Sequence, residues 1–346
     1  VLARADDSSG IIGHACRRLI ELHPKAAAAA QVPARKLVDW MMEFQFCSDP
    51  GYFELDPVDY APALGDAGIA MYREALTDHA ANLGERPAPS EWRSGAPSLH
   101  WFAIEWNERR LAVLDRDVDR IIETHLCRAN MTAGFLRTAE ALEEIGEHDL
   151  AIEWAKRATD SSSEYQAELA GRFWSDLLAK YQPEQATEAC VEVFQRWPSA
   201  SNATYLCRQA GEAWSDYEHF VMSTLARWPR EAVRFARTGL KDASLAWRLA
   251  HDLGLDCLEE WEALVKDYQK IDPLATLQIH RELVENALQV ANTRRYRRVA
   301  RRLATMRKLA AGTEQAAQVD QFIAQLRETY RRRTRLQYEL NLAGLP

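Results

Sequence analysis

The sequence predicts an all-α fold built as a helical-repeat solenoid, an α-α superhelix with a small helical unit at its N-terminus. Only 15 glycines and 13 prolines in 346 residues leave little turn material for a fold with many β-hairpins. Apolar residues make up 47% of the chain, which excludes disorder. The motif Arg196-Trp197-Pro198 returns as Arg227-Trp228-Pro229, 31 residues later, as expected of a repeated helical unit. The chain exceeds the ~250 to 300 residues at which a single core stops growing, so two domains and one elongated solenoid both remain open.

The N-terminal helical unit is predicted over residues 1–84. A proline-rich loop is expected from 48 to 68, between two helical stretches. The first stretch has apolar residues at i, i+3, i+4 and i+7, namely Leu37, Trp40, Met41 and Phe44. The stretch from Gly84 to Pro97 holds three prolines and two glycines, which exclude a continuous helix. We therefore place a connector at 85–97.

Helix pairs are predicted from 98 to 290, and the first of them spans Thr132 to Tyr165. Gly146 would form the turn between its helices, and small residues would let the two helices pack closely. The small positions are taken by Ala139, Ala151 and Ala158. This pattern resembles a tetratricopeptide repeat. The two Arg-Trp-Pro motifs would close the next two units.

Basic capping helices are predicted over 291–346, since a solenoid needs its exposed end covered. Four strings mark this segment: the arginine-rich helix around Tyr296, Phe322-x-x-x-Leu326-Arg327, Arg331-Arg332-Arg333 and Ala343-Gly344-Leu345. They resemble the helical region that accompanies SWIM-type zinc fingers in bacterial proteins. The N-terminal string Phe53-Glu54-Leu55-Asp56-Pro57 is similar to an uncharacterised bacterial family of helical-repeat proteins. The resemblance implies a fold without an established activity.

No metal, cofactor or membrane span is expected. The six cysteines are scattered, no two of them within three residues, so the zinc site is not carried over. The sequence contains neither a phosphate-binding glycine-rich loop nor a Gly-x-Ser-x-Gly nucleophile motif. No apolar run approaches the ~20 residues that cross a bilayer. We therefore expect reduced thiols and a cytoplasmic, bacterial location.

Charge is distributed unevenly along the chain. Residues 293–335 hold thirteen Lys or Arg against three acids, while the whole chain carries a net charge of −8. A candidate phosphate-binding patch lies on the predicted helix that begins at Thr293, and comprises Arg294, Arg295, Arg297, Arg298, Arg301 and Arg302. The alternatives are that these arginines pair with acidic residues of neighbouring repeats or are simply solvated.

The concave wall of a tetratricopeptide array is formed by the first helix of each pair. On the predicted register this wall is acidic to polar, and its candidate peptide-binding residues are Glu140, Glu143, Glu144, Glu168, Ser175, Asn202 and Gln209. Such a surface suits a basic peptide. Solvent-facing positions without a ligand are the simpler interpretation.

Three functional hypotheses follow from these features. The first is a non-enzymatic scaffold that binds a protein or peptide partner on the concave face. The second is a nucleic-acid-associated protein that uses the arginine-rich C-terminal helices. The third is an enzyme whose site is dispersed over several helices.

Overall fold

The computed structural model describes residues 10–46, 54–87, 96–126, 131–161, 164–290 and 292–346. These residues form helices and connecting turns, and no β-strand occurs among them. The predicted all-α class is confirmed. The chain divides into two compact units, Val1–Ala186 and Thr187–Pro346, and the division falls inside one helix.

The first unit begins with the helices α1 to α8 and ends in α9, which continues into the second unit. Their bounds are Ile11–Ala29 (α1), Ala34–Phe46 (α2), Pro57–Leu83 (α3), Ala96–Asp115 (α4), Val118–Leu126 (α5), Met131–Glu144 (α6), His148–Thr159 (α7), Glu164–Tyr181 (α8) and Pro183–Arg196 (α9).

The second unit continues with α10 to α18. Their bounds are Ala200–Ala210 (α10), Trp214–Leu225 (α11), Pro229–Arg234 (α12), Ala243–Asp252 (α13), Leu258–Tyr268 (α14), Leu277–Gln289 (α15), Thr293–Ala310 (α16), Ala316–Thr329 (α17) and Thr334–Leu342 (α18). A short 3-10 turn precedes α11, and α12 continues as a π-helical turn, Phe235–Gly239.

The predicted connector at 85–97 does not separate two cores. Trp101 and Ile104 of α4, which follows the connector, are buried in the same core as Met41 of α2 and Tyr72 of α3. Prolines and glycines end a helix there, but the next helix returns to bury its apolar face against the preceding ones. Residues 88–95 lie outside the described part of the chain.

The boundary predicted at 290/291 also lies within a shared core. Val284 and Leu288 of α15 pack in one cluster with Leu303 of α16 and Phe322 of α17. The three last helices are therefore part of the second unit's core.

The loop predicted from 48 to 68 is partly helical. Asp56 caps α3 by accepting a hydrogen bond from the Val58 backbone N–H at 2.9 Å. Pro57 is tolerated because the first helical turn needs no N–H donor there. Gly65 kinks α3 with φ 59° and ψ 176°, values that favour glycine. Residues 47–53 lie outside the described ranges.

The predicted turns and small positions of the repeats are confirmed. Gly146 lies between α6 and α7 with a φ of 86°, and the alanines at the helix crossings, Ala139, Ala151 and Ala158, are fully buried. Both Trp-Pro pairs lie where one helix ends and the next begins. These turns separate α6 from α7, α9 from α10 and α11 from α12, whereas the winding of helix pairs into a superhelix stays a prediction.

Close packing at Gly239 yields a first testable prediction. A Cβ at this position would lie 2.5 Å from Thr204 Oγ1 and 2.6 Å from Phe235 Cδ2. Phe235 is fully buried, and Thr204 Oγ1 donates to the Ala200 carbonyl at 2.7 Å, so both side chains are held in place. We expect Gly239→Ala to lower the free energy of unfolding in urea by about 1 to 3 kcal/mol.

Thr238→Ala serves as the control for this experiment, because Thr238 is the exposed neighbour in the same turn. Equal stabilities of the two variants would contradict the packing argument.

Among the described residues, no helix is both long and apolar enough to span a membrane.

Candidate functional site

A cavity of about 440 Å³ lies within the first unit. Helices α4, α5 and α6 supply most of its wall, and a glutamate just before α3 completes it. The lining residues are Glu54, Phe102, Trp106, Arg109, Arg110, His125, Arg137, Glu140, Ala141 and Glu144. The volume is in the range of ligand-binding pockets.

Helix α4 presents an aromatic and cationic face to the cavity. Phe102, Trp106 and Arg110 are spaced by four residues, so they lie along one side of the helix. Trp106 Nε1 donates to the Leu55 carbonyl at 3.2 Å, which ties α4 to the segment before α3. Phe102 is 43% exposed, so its ring is accessible to a ligand.

Helix α6 presents charged side chains of both signs to the cavity. Arg137, Glu140 and Glu144 fall at i, i+3 and i+7, with Ala141 between them. The cavity wall therefore carries charges of both signs.

Arg110 holds two acidic residues together at the edge of the cavity. Its Nε donates to Asp56 Oδ2 at 2.9 Å, and its two terminal nitrogens each donate to a Glu144 carboxylate oxygen at 2.7 Å. Burial disfavours the charge, but the hydrogen bonds to Glu144 and Asp56 outweigh it and raise the pKa of Arg110. This clamp fixes α4 against α6 and the start of α3.

His125 faces the cavity as a neutral base. Its Nδ1 lies 2.7 Å from the Ile121 carbonyl, which only accepts, so Nδ1 carries the proton. Burial, helped by the nearby charge of Arg109, lowers the pKa of His125 to about 4. At neutral pH its Nε2 is therefore left as a hydrogen-bond acceptor.

Two glutamates of the cavity remain without an ion pair or hydrogen bond to any described residue, Glu54 and Glu140. Both residues are exposed, but the surrounding protein removes part of the hydration of their carboxyl groups. Burial raises the pKa of Glu54 and of Glu140, and the charge of Arg137 opposes the rise at both. Arg137 itself is exposed and forms no ion pair within the described ranges.

A family model matches residues 1–336 of the chain. The chain belongs to the DUF6880 family. That family is described as one of unknown function. No curated protein and no solved structure matches the chain significantly. The resemblance of this DUF6880 chain to the region accompanying SWIM-type zinc fingers stays a prediction.

Of the seven predicted groove residues, Glu140 and Glu144 line the cavity. Glu143 points elsewhere on α6 and accepts hydrogen bonds from Lys180 Nζ at 3.0 Å and from the Tyr181 hydroxyl at 3.1 Å. Glu168 is engaged one turn along its own helix by Arg172, at 2.9 Å. On the predicted acidic surface, Glu140 therefore faces the cavity without an ion pair to a described residue. Glu143, Glu144 and Glu168 are each engaged by a cationic side chain.

Ser175 and Asn202 do not lie on a surface groove, and this part of the prediction is wrong. Ser175 is fully buried and its hydroxyl donates to the Gly171 carbonyl at 2.9 Å. Asn202 is 3% exposed and its amide donates to the Trp197 carbonyl at 2.8 Å. Short polar side chains satisfy nearby backbone groups, so their polarity does not mark a wet surface. Gln209 is half-buried on α10.

The predicted basic patch on α16 is only partly a free surface. Arg302 is 14% exposed and donates to Glu262 Oε1 at 2.8 Å, so it belongs to the interior. Arg295 is half-buried. The other predicted members are exposed: Arg294, Arg297, Arg298 and Arg301.

Sequence reasoning missed the cationic half of the cavity. Arg109, Arg110 and Arg137 come from two different helices, and nothing in their spacing shows that these helices meet. The one local signal is the string around Glu54, which indicates a family resemblance and not a site.

Proposed function

We propose that this chain is a non-enzymatic, tetratricopeptide-like scaffold whose cavity binds a basic side chain of a protein or peptide partner. The observation that carries the proposal is the pair Glu54 and Glu140, whose partly desolvated carboxyl groups have no cation bound to them. A lysine or arginine of the partner would supply the opposite charge, and partial burial strengthens the attraction between that charge and the carboxylates. We place this interaction in a bacterial cytoplasm, in keeping with the scattered cysteines.

The remaining lining groups suit a peptide. Aromatic side chains such as Phe102 can pack against the aliphatic stem of a long basic side chain and attract its charge. Arg137 offers donors to backbone carbonyls, and Nε2 of His125 can accept from a backbone N–H. A peptide supplies both kinds of partner next to each basic side chain.

The cationic residues of the cavity wall do not cancel the preference of the cavity for a basic side chain. Arg110 is engaged by Asp56 and Glu144, and Arg109 lies 3.5 Å from Glu105. The charge of Arg137 reaches both glutamates, but its side chain is exposed and solvated, so water weakens its repulsion of a bound cation.

The test uses short fluorescent peptides with one lysine or arginine in an otherwise neutral sequence, and matched peptides with glutamate instead. We expect the basic peptides to bind the wild-type chain and the acidic ones not to. Removing both charges in Glu54→Gln/Glu140→Gln should weaken binding by roughly tenfold or more, as loss of a charge-assisted hydrogen bond implies.

The control variant is Glu74→Gln/Glu147→Gln, which removes two exposed carboxylates that do not line the cavity. It should bind like the wild type. Equal binding by all three proteins, or no preference for basic peptides, would refute the proposal.

A further inference from the structure

A row of positive charges runs along the outer side of α16. We call it the basic stripe, and its members are Arg294, Arg297, Arg298, Arg301 and Lys308. All five are exposed. They follow one another at helical spacing, so they lie on one face over about 21 Å of helix. The opposite face of α16 is buried in the core through Val299, Leu303 and Met306.

The stripe is scarcely neutralised by its surroundings. Helix α16 contains seven arginines and one lysine and no acidic residue. The nearby carboxylates engage arginines at its flanks, Glu262 with Arg302 at 2.8 Å and Asp320 with Arg307 at 2.6 Å.

Within the described ranges, Arg294, Arg297, Arg301 and Lys308 form no ion pair. Among the described residues, the one ion pair of the stripe is a long one, from Arg298 to Glu262 at 3.9 Å. For Arg294, Arg297 and Arg301 the structure thus removes one alternative, that they serve internal ion pairs.

Such a stripe carries an energetic cost in the isolated protein. Like charges at i, i+3 and i+4 repel one another and disfavour the helix. Core packing of the opposite face holds α16 together despite this repulsion. A polyanion that lies along the stripe would turn the repulsion into attraction.

The chemistry of the stripe favours one class of polyanion. Guanidinium groups match the oxygens of a phosphate with two parallel hydrogen bonds, and four of the five residues are arginines. No apolar side chain is available on the stripe to insert into a bilayer, which peripheral membrane helices require. Tyr296, the aromatic residue of α16, is buried, so this helix offers no platform on which the bases of a single strand could stack.

We propose that the basic stripe of α16 binds the phosphate backbone of double-stranded nucleic acid without reading its base sequence. The site is separate from the cavity of the first unit, and neither proposal depends on the other. With five cations, the stripe can contact at most five phosphates. Binding should therefore depend on salt, with log K falling by at most about 4.5 per unit of log salt concentration.

The experiment measures fluorescence anisotropy of a labelled random-sequence DNA duplex over a range of salt concentrations. The test variant is Arg294→Glu/Arg297→Glu/Arg301→Glu. The control, Arg208→Glu/Arg227→Glu/Arg248→Glu, changes net charge equally at exposed arginines on other elements. We expect the test variant to bind on the order of tenfold more weakly or worse, with a salt slope smaller by about 3. The control should keep most of the affinity and the slope.

Circular dichroism checks that each protein is folded, and Arg294→Gln/Arg297→Gln/Arg301→Gln replaces the test variant if the reversal impairs folding. Equal weakening in test and control variants would overturn the proposal, since net charge alone would then explain binding. It would also be overturned by a preference for single-stranded DNA, for phosphatidylserine vesicles or for polyglutamate over the duplex.

Discussion

Replacing Asn107 by alanine is expected to lower the free energy of unfolding by about 3 to 5 kcal/mol. Asn107 is fully buried, and its amide donates to Gln45 Oε1 at 2.9 Å while its oxygen accepts from the Tyr72 hydroxyl at 2.6 Å. Gln45 Nε2 in turn donates to the Tyr72 oxygen at 2.7 Å, which closes a ring of hydrogen bonds between α2, α3 and α4.

Alanine would leave two buried polar groups of this ring without a partner. The Gln45 carbonyl would lose its donor and the Tyr72 hydroxyl would lose its acceptor, and each orphaned group costs about 1 to 3 kcal/mol. The vacated volume adds to the loss. Urea unfolding followed by circular dichroism measures the difference.

A companion variant separates the hydrogen bonds from the packing. Gln45→Leu/Tyr72→Phe/Asn107→Leu replaces all three polar groups by apolar ones of similar size, so no partner is left unsatisfied. It should be more stable than Asn107→Ala alone. If Asn107→Ala lowers the free energy of unfolding less than the triple variant does, the ring does not stabilise the fold as we infer.

The same ring supports the candidate site. Asn107 lies on α4 next to Trp106 and close to Arg110, so the ring holds the helix that supplies the aromatic side of the cavity. We expect the Asn107→Ala protein to lose affinity for basic peptides before it unfolds globally, because local opening of α4 would remove Phe102 from the site.

Features with a local chemical cause were predictable from the sequence. The φ of 86° at Gly146 follows from a glycine between two helical patterns, and α16 begins at Thr293, where the sequence predicts it. The two Arg-Trp-Pro motifs likewise predict, from local residues, where one helix ends and the next begins. Each of these depends on a few neighbouring residues only.

Features that depend on distant contacts were not predictable. Apolar spacing continues from 313 to 338 and by itself predicts one helix there, but α17 ends at Thr329 and α18 begins at Thr334. Arg333 in the break donates to the Leu288 carbonyl at 2.7 Å, a contact that no periodicity can reveal.

The cavity was unpredictable for the same reason as the helix break. Its wall joins Glu54, four residues of α4, His125 of α5, and the face of α6 that contains Glu140. Only the α6 part lies on a predicted groove. The other charged residues of the cavity come from segments whose packing is determined by the apolar core beneath them.

Stability should also fall at mildly acidic pH because of a histidine in the second unit. His280 is 5% exposed, and Arg302 donates to its Nδ1 at 3.4 Å, which leaves the proton on Nε2. Nε2 is buried and has no hydrogen-bond partner among the described residues. Burial, together with the charge of Arg302, lowers the pKa of His280 to about 4.

The sign of the effect follows from proton binding in the two states. In the unfolded chain a histidine titrates near pH ~6.5, whereas His280 in the fold stays neutral until about pH 4. Between these values only the unfolded chain takes up the proton, so lowering the pH favours unfolding. The contribution is intact above about pH 6.5 and declines by about 3 kcal/mol in total as the pH falls to about 4.

His280→Asn isolates this contribution, because asparagine can still accept from Arg302 but does not titrate. Urea unfolding of both proteins between pH 7 and 4 gives the difference in slope, and we expect the wild type to lose stability more steeply. Carboxyl groups with a raised pKa, such as Glu54 and Glu140, act with the opposite sign. Both proteins contain these carboxyl groups, so their contributions cancel in the difference between the two pH profiles. Parallel pH profiles would show that His280 takes up its proton in the folded protein at the same pH as in the unfolded chain. Burial and the charge on Arg302 would then not lower its pKa.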